Sequence, residues 1–261
     1  GNYPLENNDN SCYLNSSLQC LINLPRFIHK CLNVPYLLPD IGKKSILLRV
    51  LYENFRNIVL KQEYFRGFVR ELKIHLNDFN NYHQQDSHEF LSFILDKIHD
   101  EEKLHYPESS SPAISSLFLV DIEKRILCPE RHASISHDKT HILTLHLMNN
   151  NNCNLSELIA ENIGKEEIIE GYRCDKCDAN CDAIIEQEIV RYPLYFIIHI
   201  NRAVAFFGNV VRVSVTAPEV ISFEGSKHLY RLNGIINHNG WQDFGHCNSI
   251  FASTFTYLNT F

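Results

Sequence analysis

The hydrophobic pattern of this chain changes period once, near Tyr106, and that change limits the fold more than any other feature. Before it, apolar residues recur at helical spacing: Leu14, Leu18 and Leu21, then the stretch from Ile46 to Val59, then Phe90, Leu91, Ile94, Leu95 and Ile98. After the Pro/Ser-rich connection PESSSPAISS, strand-like runs follow in LFLVDIEKRIL and HILTLHL. NNNNCN reads as a loop, and Asn154 is placed to cap a short helix over LSELIAENI. EGYRCDKCDANCDA reads as a Cys-rich turn region, and EQEIVRYPLYFIIHINR as two strands around Pro193. YRLNGIINH and CNSIFAST are further strands, separated by the turn-forming segment NGWQDFG. Helices first and strands afterwards, without internal repeats, predict an α+β fold.

With 261 residues, 44% hydrophobic and 21% charged, the chain is long enough for one substantial core or two small ones, which excludes a disordered or collagen-like polymer. The formal charge of -7 argues against nucleic acid, because phosphate contacts need clustered Lys and Arg, and it suits a basic partner better. The nine cysteines show no disulfide framework, so a reducing, intracellular compartment is the simpler expectation. No apolar run approaches the roughly 20 residues that cross a bilayer, and the segment GNYPLENNDN has neither region of a signal peptide. A soluble chain without membrane contact is expected.

Ser11-Cys12-Tyr13-Leu14 places a cysteine where a polar loop gives way to an amphipathic helix. A sulfur there sits among unpaired backbone N–H groups at the positive end of the helix dipole, a placement that favours thiolate. The plainer alternative is a buried cysteine acting as a small hydrophobe. Thiolate attack on a carbonyl needs a donor for the developing oxyanion, and Asn7 and Asn10 lie just upstream of the Cys12 N–H; either Asn also serves as an ordinary turn former. Far along the chain, His238-Asn239-Gly240 and Gly245-His246-Cys247 bracket a polar turn between apolar strands. A histidine at the mouth of a strand can take a thiol proton and later deliver it to a leaving amine.

Taken together, ENNDNSCYLNSSLQCL resembles the cysteine box of the ubiquitin-specific proteases, and YRLNGIINHNGWQDFGH resembles their histidine box, with His, Gly, Gly and His in register. QQDSHEFLSFILDKI and YRCDKCDANCDAIIEQEIVRYPLYFIIHINR are similar to two further segments of that family, in the same order. The resemblance implies a papain-like fold in a single catalytic domain over 1–261, with a helical thumb over about 1–112, fingers over 113–195 and a palm carrying the histidine box over 196–261. It implies hydrolysis of the bond after the C-terminal glycine of ubiquitin, by a monomer that needs no cofactor for catalysis. Cys12 would be the nucleophile, His246 the base and Asn7 the oxyanion donor. The third triad member is expected in FTYLNT at Asn259, with Asp243 as a fallback on the turn before His246. Gln85, Asp86, Glu89, His238 and Gly245 would face the substrate tail. Asp86 followed by Glu89 is also a helix-capping pattern, and both readings can hold together.

The chain departs from the family at several places. Asp9 stands where Gly is usual, Cys247 replaces the usual Tyr after the histidine, and Phe255 stands in for a Trp before the final strand. Relatives hold a structural zinc with two Cys-x-x-Cys pairs, a closed tetrahedral site. Here only Cys174 and Cys177 form an intact pair; the other is Cys128-Pro-Glu-Arg131, whose missing thiolate would come from His132 or Cys181. An incomplete set should hold metal weakly, so a relict site without zinc is the alternative. The rival functions are a catalytically inactive ubiquitin-binding module, a protease for SUMO or NEDD8, and a zinc-dependent scaffold without hydrolysis.

Overall fold

The computed structural model describes residues 10–37, 74, 76, 79, 85–104, 114–147, 151–202, 213–223, 226–241 and 244–251. The helix expected over Ile46 to Val59 and the segment FTYLNT lie outside these. The chain divides into two compact units: Gly1–Leu117 with Leu232–Phe261, and Phe118–Arg231.

In the first unit, α1 (Cys12–Ile22) follows Asn10, whose φ of 57° places it in the left-handed region that Asn tolerates better than most residues. The expected stripe of Leu14, Leu18 and Leu21 is buried, and Tyr13 and Ser17 beside it are fully covered, so the helix is enclosed on more than one side. Tyr13 meets Phe90 edge to face at 5.7 Å, and Phe79 meets Phe90 at 5.5 Å, a geometry aromatic rings prefer. Pro25 opens α2 (Pro25–Leu37), where a missing N–H costs nothing.

The next described helix, α3 (Ser87–Lys103), buries Phe90, Leu91, Ile94, Leu95 and Ile98, the periodic stripe read from the sequence. Asp86 caps it, with the His88 N–H donating to its Oδ1 at 2.6 Å. Near its other end Glu102, only 1% exposed, accepts hydrogen bonds from the Ile114 N–H at 2.5 Å, the Ser115 N–H at 3.1 Å and the Ser115 hydroxyl at 2.9 Å. These bonds hold the short 3-10 turn Ser115–Leu117 against the helix.

Among the described residues, unit 2 contributes ten strands. The four-stranded sheet has the order β2-β1-β6-β5, all antiparallel, with β1 Val120–Leu127, β2 Ala133–Thr140, β5 Glu167–Cys174 and β6 Ala179–Arg191. The sequence signal for β2 is weak because ASISHDKT is exposed almost throughout and buries no apolar face. The region EGYRCDKCDANCDA corrects the turn expected there: it is mostly strand, and only the residues between Cys174 and Ala179 turn. Charged and cysteine side chains on an exposed hairpin masked the strand period.

Shorter pairs complete the unit. β3 (Leu143–His146) runs parallel to β7 (Ile198–Asn201), β4 (Cys153–Asn154) parallel to β8 (Val215–Thr216), and β9 (Val220–Ser222) antiparallel to β10 (Leu229–Arg231). Helix α4 (Leu155–Asn162) is capped as expected: Asn154 accepts from the Glu157 N–H at 2.9 Å while Glu157 accepts from the Asn154 N–H at 3.0 Å. Val120, Ile122, Leu143, Leu145, Leu158, Ile189 and Phe223 form the core, where Phe223 stacks on Phe196 at 4.7 Å.

The chain then returns to the first unit as an antiparallel hairpin, β11 (Gly234–Trp241) and β12 (Phe244–Phe251). The turn expected over NGWQDFG is thereby shortened: the ladder continues to Trp241 opposite Phe244, and Gly240 faces Gly245 inside it. Polar and glycine residues disguised these strand ends, because backbone pairing needs no side-chain pattern. β12 and α1 pack together.

Candidate active site and metal cluster

Cys12 is the first residue of α1 and 7% exposed. Its Sγ accepts a hydrogen bond from the Cys247 N–H at 3.4 Å, so the start of the helix lies against the edge of β12. A strand's N–H groups lie in the plane of its sheet and successive side chains project to opposite faces. Cys247 and His246 therefore flank this contact on opposite faces, Cys247 buried and His246 exposed. Asn239 is paired opposite His246, and His238, also exposed, opposite Cys247; Gly245 is the next residue along β12.

The start of α3 reaches the same place. The Ser87 side chain and the Asp86 carboxylate both lie near enough to act on the Cys247 thiol. Burial, first, and the neighbouring Cys12 and Asp86 push the Cys247 thiol up to about 12, so it is a neutral thiol at neutral pH. Three separated segments of sequence, around Cys12, around Asp86 and around His246, are thus brought together within one unit. Asp86, exposed, spends one carboxylate oxygen on its helix cap; Glu89 is exposed in the first turn and Gln85 half-buried before it. Asn7, Asn259, Asp9 and Asp243 lie outside the described residues.

The contact of Cys247 with Cys12 was the part hidden from the sequence. A main-chain donor carries no side-chain signature, and Cys247 stood out only as a departure from Tyr.

In unit 2, Cys128, His132, Cys174 and Cys177 bring one donor atom each to within 4.8 Å of one another. Cys128 Sγ and Cys177 Sγ are 3.8 Å apart, and His132 Nδ1 is 3.2 Å from Cys177 Sγ and 3.8 Å from Cys174 Sγ. Two sulfurs on a tetrahedral zinc, each about 2.3 Å from the metal, stand close to 3.8 Å apart. The turns that present them supply further donors. The Cys177 N–H, ahead of burial in effect, and the Lys176 N–H point to Cys174 Sγ and hold that thiol down to about 6, while the His132 N–H donates to Cys128 Sγ at 3.3 Å. Arg131 and Asp178, with φ of 60° and 50°, make the tight bends of these two turns.

The set therefore fits a structural zinc, held by three thiolates and an imidazole whose position is filled by His132 rather than Cys181. Cys181 instead lies 3.5 Å from the Tyr172 carbonyl. Spacing alone left these two ligands open, because His132 comes after a bend that adds one residue to the usual separation. Bound zinc would supply a cross-link between the β1–β2 turn and the β5–β6 turn; its ligands leave no open position for chemistry.

The family profile described as ubiquitin carboxyl-terminal hydrolase matches residues 4–258. Among curated proteins, the chain is 24% identical over 275 residues to ubiquitin carboxyl-terminal hydrolase 25 of Arabidopsis thaliana, covering 93% of this chain and 41% of that protein. It is 25% identical over 290 residues to ubiquitin carboxyl-terminal hydrolase 8 of Saccharomyces cerevisiae, covering 93% of this chain and 61% of that one. The chain thus spans only about half the length of such relatives. Among solved structures, it matches a chain in the SAGA Ubp8/Sgf11/Sus1/Sgf73 DUB module bound to ubiquitin aldehyde, with a TM-score of 0.75 at 22% identity, over 95% of this chain and 61% of that chain. The fold is therefore the mixed helix and sheet fold of those catalytic domains, as the sequence implied. With its profile running through nearly every residue from the cysteine box to the last strand, the chain belongs to the ubiquitin carboxyl-terminal hydrolase family.

Proposed function

We propose that this chain is a thiol-dependent deubiquitinase that cleaves the peptide or isopeptide bond after the C-terminal glycine of ubiquitin. The observation that carries this reading is the hydrogen bond from the Cys247 N–H to Cys12 Sγ, which joins the cysteine and histidine boxes across the length of the chain. Cys12 thiolate attacks the glycine carbonyl, and the oxyanion is held by the Cys12 N–H at the open end of α1 and by Asn7. His246 takes the thiol proton and delivers it to the departing amine, leaving a thioester. Water, deprotonated by His246, then releases the ubiquitin carboxylate and restores Cys12. Asn259 orients His246.

Gln85, Asp86, Glu89, His238 and Gly245 line the approach of the substrate tail, where the exposed carboxylates of Asp86 and Glu89 suit a basic segment. The thumb, fingers and palm divisions at 1–112, 113–195 and 196–261 belong to the same reading. Nine free thiols accord with work inside a reducing compartment. Among the described residues, no helix is long and apolar enough to cross a membrane. The chain is read as a monomer, which light scattering tests; an assembly would place it nearer to the multi-component module of its structural neighbour.

The test is reaction of the purified chain with ubiquitin carrying a C-terminal electrophile, beside Cys12→Ala and beside equivalent SUMO and NEDD8 probes. An adduct with ubiquitin that Cys12→Ala abolishes is the expected result. Adduct with SUMO or NEDD8 alone would reassign the modifier, and ubiquitin binding without adduct would leave a binding module.

A further inference from the structure

The proposed mechanism uses the N–H of Cys247 but leaves its thiol without a task. The same N–H lies 3.4 Å from Cys12 Sγ, which sets the Cys247 thiol near enough to the Cys12 sulfur for each to act on the other, and both residues are almost fully enclosed, at 5% and 7% exposed. They are delivered by different elements, α1 and β12, so their meeting is a product of the fold and not of sequence proximity. Among the described residues, the sulfurs of Cys128, Cys174 and Cys177 also lie close together, and they belong to the metal cluster. Cys31 and Cys20 are thiols that burial holds well above the usual range, away from this contact.

We propose that Cys12 and Cys247 form a reversible redox pair, in which peroxide oxidation of Cys12 is trapped as a Cys12–Cys247 disulfide that silences the site and shields the nucleophile from irreversible oxidation. This rests on the reading of Cys12 as the reactive thiol. In the first step Cys12 thiolate attacks one oxygen of hydrogen peroxide; the O–O bond breaks, hydroxide leaves, and Cys12 becomes a sulfenic acid. In the second the Cys247 sulfur, giving up its proton, attacks the Cys12 sulfur; the S–O bond breaks, water leaves, and the S–S bond forms. Two thiols are oxidised by two electrons and one peroxide is reduced to two waters. A small thiol reductant reverses the change by attacking the disulfide and releasing both cysteines as thiols. The Tyr usual at this place in the family that the sequence resembles has no thiol to do this, and Cys247 supplies one.

The experiment treats the zinc-loaded full chain with hydrogen peroxide, alkylates remaining thiols, and applies intact mass spectrometry and peptide mapping without reduction. The expected result is a loss of about 2 Da before alkylation, a cross-linked peptide pair containing Cys12 and Cys247, and loss of labelling by the ubiquitin probe that dithiothreitol restores. In Cys247→Ser, and in Cys247→Ala as a second variant, the same treatment adds about 32 Da at Cys12 and the loss is permanent. Thermal melts establish that each variant folds; should neither fold, the map of the unaltered chain decides alone. Sulfinic Cys12 beside unmodified Cys247 in that chain, or a cross-link joining other cysteines instead, would overturn the proposal. Labelling before peroxide separates the two readings: a chain that labels but never cross-links refutes the redox pair alone, and one that cross-links but never labels refutes the deubiquitinase alone.

Discussion

Replacing Glu102 with alanine should cost the first unit about 3 kcal/mol, and the structure shows where that figure comes from. The carboxylate is 1% exposed and accepts from the main-chain N–H groups of Ile114 and Ser115 as well as the Ser115 hydroxyl. Alanine leaves two buried main-chain donors without an acceptor, at about 1–3 kcal/mol each, while the hydroxyl can rotate to another partner. Against this stands relief from burying the carboxylate, whose pKa burial raises against the opposing effect of these same donors and of Lys30. Glu102→Gln keeps one accepting oxygen but turns an amide N–H toward a donor, and should cost about half as much.

The protein's single tryptophan, Trp241, sits in β11 of the same unit, so its emission during urea unfolding reports on the right region. At a slope of about 2 kcal/mol per molar urea, the alanine variant should lose about 1.5 M in midpoint. The sign of the pH effect follows from the direction of the shift. A raised folded pKa means that the native chain holds this proton more tightly than the unfolded chain. Its contribution is therefore complete below the ordinary carboxyl value of 4.5 and is lost as pH rises through the folded value. The gap between wild type and alanine should accordingly be wider near pH 4.5 than near pH 7. A midpoint within about 0.25 M of wild type, the scale of an ordinary surface change, would refute the clasp.

Three further outcomes are expected. His132→Ala should lower zinc content, read by atomic emission, and lower the melting temperature of the zinc-loaded protein, whereas Cys181→Ser should alter neither, since its sulfur lies outside the ligand set. Phe223→Ala, at a position 5% exposed and ringed by Tyr192, Phe196 and Tyr230, should destabilise unit 2 by about 3–5 kcal/mol in denaturant unfolding, and a cost below about 1 kcal/mol would mean that the core is not built on it. Asn154→Ala removes one half of a reciprocal cap and should cost about 1 kcal/mol by the same measurement, with Asn154→Gly costing less.

The sequence was most informative where side chains carry the signal. The Leu14–Leu18–Leu21 stripe, the apolar face of α3, and the Asn154–Glu157 box all follow from spacing, because burial and capping select residue types. It misled where the backbone alone decides. The ladder through Gly240 and Gly245, the exposed strand β2 and the N–H of Cys247 that meets Cys12 use main-chain groups common to every residue. The fourth metal ligand fell between these cases: His132 has the right chemistry, but only the left-handed bend at Arg131 brings it round to the thiols.

The first unit is made of two stretches of chain, with all of Phe118–Arg231 inserted between them. Cys12 leaves the ribosome before any of unit 2, and the strand that supplies Cys247 and His246 follows more than two hundred residues later. At about 5–20 residues per second, that interval is on the order of ten seconds or more, during which the nascent chain carries Cys12 without the strand that meets it. Unit 2 can fold in that time on contacts of its own, and its folding draws the ends of the insertion together and shortens the loop that the last hairpin must close. On the proposed reading, synthesis order acts as a timer that holds the site incomplete until the hairpin docks.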